Sequence, residues 1–186
     1  MISVNELGAG VVFNERGEYF LVLSYEHIKM GRGSGNIKVK VKNLSTGSTV
    51  EKSYITGARV QDASLERKRV QYLYQDSGGA HVMDMENFEQ FVVDRKLVED
   101  VIKFFKEGME LNLISAESKL LYVEISKILD YKVVQTGGSA RGNTVGASYK
   151  DATLENGLTV KVPLFIKNGE IIRVDTRSGD YVERAK

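Results

Sequence analysis

The sequence predicts an all-β protein with one short helix, built as three small β-barrels in a row. Two observations point there first. Turn signals recur along the chain, at Asn14-Glu15-Arg16-Gly17, Ser45-Thr46-Gly47, Asp76-Ser77-Gly78-Gly79, Asn156-Gly157, Asn168-Gly169 and Ser178-Gly179. Asn-Gly between apolar segments is a strong hairpin signal. Between the turns lie short segments that alternate polar and apolar or are wholly apolar, as half-buried strands do. Many short strands punctuated by glycine turns build small barrels or sandwiches. The third observation is charge. Met1 to Asp62 carries eight Lys/Arg against six Asp/Glu, Ala63 to Ser126 eight against twelve, and Lys127 to Lys186 ten against seven. The two ends are mildly basic and the middle is acidic.

The elements follow in order. Ile37-Lys38-Val39-Lys40-Val41-Lys42 alternates cleanly and reads as a strand with a lysine face. Val70-Gln71-Tyr72-Leu73-Tyr74 alternates less strictly, and Tyr72 and Tyr74 are expected on one face, in the core. Leu97, Val98, Val101, Ile102, Phe104 and Phe105 then recur at helical spacing, with Asp94 to cap the start and Gly108 to end it. That pattern predicts an amphipathic helix of about three turns packed on a barrel. Leu158-Thr159-Val160-Lys161-Val162 is a further alternating strand, and residues 175–184 read as a terminal hairpin.

No Pro-, Gly- or Ser-rich linker separates these segments, and Pro163 is the one proline. Joints are placed near Asp62, from the charge shift, and near Leu129-Asp130. The expected domains are therefore 1–62, 63–128 and 129–186. Each has about 60 residues, near the lower limit for a domain that folds unaided.

Composition removes several function classes. The 186 residues contain no cysteine, so disulfides and thiolate metal sites are out. Met1-Ile2-Ser3-Val4-Asn5-Glu6 shows no basic region followed by an apolar segment, and the longest apolar stretch, around Tyr19 to Leu23, is too short for a bilayer. The expectation is a cytoplasmic protein with no membrane partner. His27 and His81, the two histidines, share no metal-ligand spacing, and no carboxylate pair sits in a recognisable catalytic motif. No enzyme activity, metal or cofactor is expected.

The most unusual segment is Lys29-Met30-Gly31-Arg32-Gly33-Ser34-Gly35-Asn36. Glycines Gly31, Gly33 and Gly35 free the backbone and add no side chains, so Arg32 should project from the loop. An exposed guanidinium matches phosphate oxygens, and Lys38, Lys40 and Lys42 beyond it could track an RNA backbone. The plain alternative is a hairpin loop followed by a strand whose lysines keep it soluble. A strand follows these glycines, whereas a dinucleotide or P-loop fingerprint needs a helix.

Four stretches resemble the elongation factor P family, in that family's order and across essentially the whole chain. They are Val39-Lys40-Val41-Lys42-Asn43-Leu44-Ser45-Thr46-Gly47; Gln71-Tyr72-Leu73-Tyr74; Ala152-Thr153-Leu154-Glu155-Asn156-Gly157 with Val162-Pro163-Leu164-Phe165-Ile166; and residues 172–181. The resemblance implies an SH3-like, KOW-like N-terminal barrel, two OB-type barrels and an elongated L shape like a tRNA. It implies binding to the ribosome between the peptidyl-tRNA and exit sites, and relief of stalling at consecutive prolines. It puts Arg32 at the tip, with Lys29, Gly31, Gly33 and Gly35 in support, and gives Lys38, Lys40 and Lys42 to tRNA or ribosomal RNA. It gives Gly142, Asn143, Thr144, Tyr181 and Arg184 to the small subunit and messenger. Some arginine-tipped relatives are rhamnosylated, so a glycosyltransferase acting on Arg32 is a further implied partner, and a working monomer is expected. The sequence departs from the family at Met30, where proline is usual, and at Asn143, where aspartate is usual. Two other readings stay open here: an elongation-factor-P-like paralogue or general RNA-binding barrel protein without activity on proline runs, and an enzyme on a barrel scaffold.

Overall fold

A computed structural model of the chain describes residues 1–28, 35–137 and 149–185, and their strands fall into three sheets. The first contains β1 (Ile2–Ser3), β2 (Val12–Glu15), β3 (Glu18–Ile28), β4 (Asn36–Asn43), β5 (Thr49–Ile55) and β6 (Arg59–Asp62), in the order β1-β6-β2-β3-β4-β5. The alternation read from β4 holds: Ile37, Val39 and Val41 are fully buried, while Lys38 and Lys40 are exposed. Phe13 and Phe20 stack 5.6 Å apart in the same core, with Leu7 and Val22 beside them. The first turn signal closes the β2–β3 hairpin. Arg16 and Gly17 both take positive φ there, and the N–H of Gly17 donates to Oδ1 of Asn14.

The second sheet contains β7 (Glu66–Gln75), β8 (Gly79–Asp84), β9 (Gln90–Asp94), β10 (Glu110–Ala116) and β11 (Lys119–Glu124), ordered β11-β10-β7-β8-β9. Here two expectations need correction. The β7–β8 register shifts between Tyr72 and Tyr74, so Tyr72 pairs with Val82 and Tyr74 with His81. Such a bulge adds one residue to one strand and reverses the side on which later residues emerge. Tyr72 is buried and Tyr74 is exposed, not both in the core. The helix is also not three turns long. It is a single turn, α1 (Arg95–Val98), followed by a 3-10 turn at Ile102–Phe104. Asp94 caps α1 as expected, its side chain accepting from the N–H of Lys96 at 2.8 Å, and Gly108 takes φ +80 beyond the end. The helix stops early because Phe104 and Phe105 serve different neighbours. Phe105 turns extended and meets Tyr72 edge-on at 5.0 Å, while Phe104 enters the core of the third sheet.

That third sheet contains β12 (Ile128–Thr136), β13 (Tyr149–Leu154), β14 (Thr159–Pro163), β15 (Ile171–Asp175) and β16 (Tyr181–Arg184), ordered β14-β13-β12-β15-β16. Tyr131, Val133, Leu154, Val162, Ile166, Ile172 and Val174 pack around Phe104. The Tyr131 hydroxyl is satisfied by the carbonyl of Phe104, and burial, then the charge of Glu155, pushes that phenol upward.

The chain divides into two compact units. One comprises Met1–Arg67 with Ile114–Tyr122, and the other Lys68–Leu113 with Val123–Lys186. In the first, Ala116 and Leu121 pack with Val12 and Tyr19. In the second, Phe104 joins the segment after α1 to the third sheet. No described helix is long and apolar enough to cross a membrane.

Candidate functional site

The glycine-rich loop closes the hairpin between β3 and β4, the longest strand and its partner in the first sheet. Lys29, Gly31, Arg32 and Gly33 lie outside the described residues, and so does Met30. The described base of the loop is well defined. Ile28 pairs with Asn36, and next to that pair the carbonyl of Gly35 accepts two bonds from Thr56, from N–H at 2.9 Å and from Oγ1 at 2.5 Å. Gly35 sits in a close approach: a Cβ there would lie 2.9 Å from Nε2 of His27 and 3.1 Å from Oγ1 of Thr56, so both side chains would have to give.

Beneath the hairpin, Lys52 and Tyr54 of β5 face inward opposite Val39 and Ile37. Lys52 forms an ion pair with Glu15 and sits 4.0 Å from the centre of the Phe20 ring. Tyr54 donates to Oε1 of Glu15 at 3.0 Å. Burial raises the Glu15 carboxyl, but the bonds from Lys52 and Tyr54 outweigh it and hold the group below its ordinary value. Burial, then the bond to Glu15, pushes the Tyr54 phenol up.

On the outer face of β4, Lys38 and Lys40 are exposed and Lys42 is half-buried. The face is not purely basic, since Glu26 lies opposite Lys38 and Glu51 opposite Lys40. An anion there meets lysines interleaved with carboxylates.

In the third sheet, the β12–β13 hairpin is tied at its loop end by the N–H of Gly137 on the carbonyl of Asp151, 2.9 Å. Gly142, Asn143 and Thr144 lie in the segment joining these strands, outside the described residues. Tyr181 is half-buried against the Tyr131 core. Arg184 is exposed and reaches Oε1 of Glu170 at 3.2 Å. Glu170 is held below its ordinary value by the backbone N–H of Lys167, then by Arg184. Tyr181 and Arg184 thus share one strand, with the ring anchored and the guanidinium at the surface.

Sequence reasoning missed Thr56, His27 and the Glu15–Lys52–Tyr54 group. For the last a signal existed, because Lys52 and Tyr54 are two residues apart on one face of a strand. Among the described residues, no group of three or more His, Asp and Glu is placed to hold a metal.

The described strands define an all-β protein of three consecutive small antiparallel sheets. Comparison with known proteins carries that class to a family. The model of the elongation factor P KOW-like domain matches residues 3–60, that of its OB domain residues 65–123, and that of its C-terminal domain residues 129–184. Elongation factor P of Coprothermobacter proteolyticus is 42% identical over 184 residues, covering 99% of both chains. That of Moorella thermoacetica is 36% identical and covers all of both chains, and that of Mycoplasmopsis pulmonis is 41% identical over 97% of each. The chain belongs to the elongation factor P family. It is a non-enzymatic, ribosome-binding translation factor that relieves stalling at runs of proline.

Proposed function

We propose that this factor occupies the ribosome between the peptidyl-tRNA and exit sites and holds the acceptor end of peptidyl-tRNA with the loop that carries Arg32. Proline is a poor partner in peptide-bond formation, because its ring fixes φ and its nitrogen is secondary. The factor's contribution is orientation: ordering the acceptor end recovers reactivity that misalignment loses, with no proton transfer by the protein. The observation that supports this reading is the pair of hydrogen bonds from Thr56 to the Gly35 carbonyl, which ties the residue at the end of the glycine-rich loop to the β5–β6 turn.

The remaining assignments belong to the same proposal. Lys38, Lys40 and Lys42 meet the RNA backbone, and Gly142, Asn143, Thr144, Tyr181 and Arg184 face the small subunit and messenger. The chain acts in the cytoplasm as a monomer of three domains, 1–62, 63–128 and 129–186. Arg32 is the residue on which an arginine-modifying glycosyltransferase acts.

Reconstituted translation of a message encoding three consecutive prolines tests the tip. The wild-type chain should raise full-length product, Arg32→Ala should not, and a message without the proline run should respond to neither. Equal rescue by Arg32→Ala removes the tip role. A gain only with protein purified from its native cell assigns the activity to a modified Arg32.

A further inference from the structure

Tyr74 is 55% exposed although Tyr72, two residues earlier on the same strand, is buried. The bulge in β7 turns it outward and sets its ring flat on His81, with centroids 4.2 Å apart and planes 14° apart. His81 is held in turn by Asp76, Nε2 lying 2.8 Å from Oδ2. Asp76 accepts from the N–H groups of Gly78, at 2.8 Å, and Gly79, at 3.3 Å. The bond to His81, then that from Gly78, holds the Asp76 carboxyl below its ordinary value, so it stays anionic and keeps the imidazole in place. The result is a two-ring stack fixed on the His81 side, with Tyr74 turned to solvent.

This stack borders an open groove of about 670 Å³ whose walls include Tyr74, Gln75, Arg95, Lys103, Lys106 and Glu107. Tyr72 and Phe105 supply apolar surface to it. Lys106 is committed to Glu155, at 3.2 Å, and to the carbonyl of Asp130, at 2.9 Å. Arg95, from α1, and Lys103 bring further positive charge to the same walls, which also hold the carboxylates of Glu107 and of Glu155, the latter paired with Lys106. A flat aromatic face beside cations suits an unpaired base and its phosphate, since stacking accepts any base and cations follow the backbone. A duplex keeps its bases stacked on one another and offers none to Tyr74. An acidic peptide could use the cations but has no use for the ring.

We infer that this groove, formed by the middle, OB-type domain together with Glu155 and Asn156 of the β13–β14 turn, takes a short stretch of single-stranded RNA, with one base on Tyr74 and the adjoining phosphate on Arg95 and Lys103. The site is separate from Arg32 and from the lysines of β4. Overall acidity of the middle segment does not oppose it, because the charge that counts is the charge lining the groove.

The test is fluorescence anisotropy of the full chain with a labelled oligouridylate of about eight nucleotides, within the range one OB domain covers. An RNA duplex and a polyglutamate peptide serve as competitors. The wild-type chain should bind the single strand, and neither competitor should displace it efficiently. Tyr74→Ala should weaken binding about tenfold or more, while Tyr74→Phe, which keeps the ring, should bind like the wild type. Arg95→Gln should lower the slope of log affinity against log salt by about 0.7. Lys161→Gln, an exposed charge of β14 outside the groove, should bind unchanged, which separates the groove from surface charge in general. Circular dichroism confirms that the Tyr74 variants are folded. Absence of single-strand binding by the wild type, undiminished binding by Tyr74→Ala, or efficient displacement by polyglutamate overturns the assignment.

Discussion

Thr56 gives both its backbone N–H and its hydroxyl to one acceptor, the carbonyl oxygen of Gly35. The two residues lie 21 apart in sequence, and the bond fixes where β4 leaves the Arg32 loop. Thr56→Val keeps the side-chain shape and the backbone bond but removes the hydroxyl. Loss of one such hydrogen bond costs about 1 kcal/mol, so the fold should survive. Stimulation on a three-proline message should fall, and Thr56→Ser should restore it. A merely structural role for Thr56 would instead lower stability and leave the stimulation per folded molecule unchanged.

Gly35→Ala approaches the same point from the other side. The new methyl would sit 2.9 Å from Nε2 of His27, 3.1 Å from Oγ1 of Thr56 and 3.3 Å from the carbonyl of Ile28. His27 can swing aside, but Thr56 cannot do so without losing its bond. Overpacking of this kind typically costs about 1–3 kcal/mol. Urea denaturation should show that loss, and His27→Ala in the same chain should recover part of it. A fully additive pair would mean that the imidazole is not the obstacle.

Much of this was legible in the sequence. The turn signals at Asn14–Gly17, Asn156-Gly157 and Ser178-Gly179 all close hairpins, and the lysines of β4 emerge where period-two alternation puts them. The glycines flanking Arg32 stand out in the sequence itself, and the role given to Arg32 belongs to the proposal. The misread parts are those where one residue answers to something distant. Apolar residues from Leu97 to Phe105 keep helical spacing, yet Phe104 and Phe105 bury against different partners, and spacing cannot tell one core from two. At β7 a single inserted residue moves Tyr74 to the other face, and tyrosine fits either face. Thr56 is a small polar residue in a turn, and nothing within its own segment indicates that its partner is Gly35.

Phe104 offers a direct test of that division of labour. It is buried among Tyr131, Val133, Leu154 and Ile172, and its carbonyl is the acceptor for the Tyr131 hydroxyl. Phe104→Ala should cost about 3–5 kcal/mol, as large-to-small core substitutions do. Phe105→Ala should release Tyr72 and leave the Tyr131 core intact. The chain has no tryptophan, so far-UV circular dichroism in urea follows global unfolding, and the NMR resonances of Tyr131 and Tyr72 separate the two effects. Equal disturbance of both tyrosines by Phe104→Ala would mean that the two aromatics share one core.

Acid should reach the β15–β16 hairpin late, because Asp175 is held low. The Asp175 carboxyl is held at about 2, first by the side chain of Arg177 and then by that residue's backbone N–H. A carboxyl whose value is lower folded than unfolded stabilises the fold above its unfolded value. That contribution is lost as pH falls through the folded value. The window here runs from the ordinary aspartate value, about 3.9, down to about 2. Arg177→Ala removes the guanidinium and keeps the backbone bond, so Asp175 should titrate higher than in the wild type but still below an ordinary aspartate. Arg177 is exposed and Asp175 half-buried, and added salt should narrow the difference between the two proteins. Carbon-13 NMR of the Asp175 carboxyl across this pH range reads the shift directly. Identical titration in both proteins would transfer the effect from the guanidinium to the turn backbone, where the N–H of Gly179 bonds the carbonyl of Asp175 at 2.7 Å and closes the hairpin without help from charge.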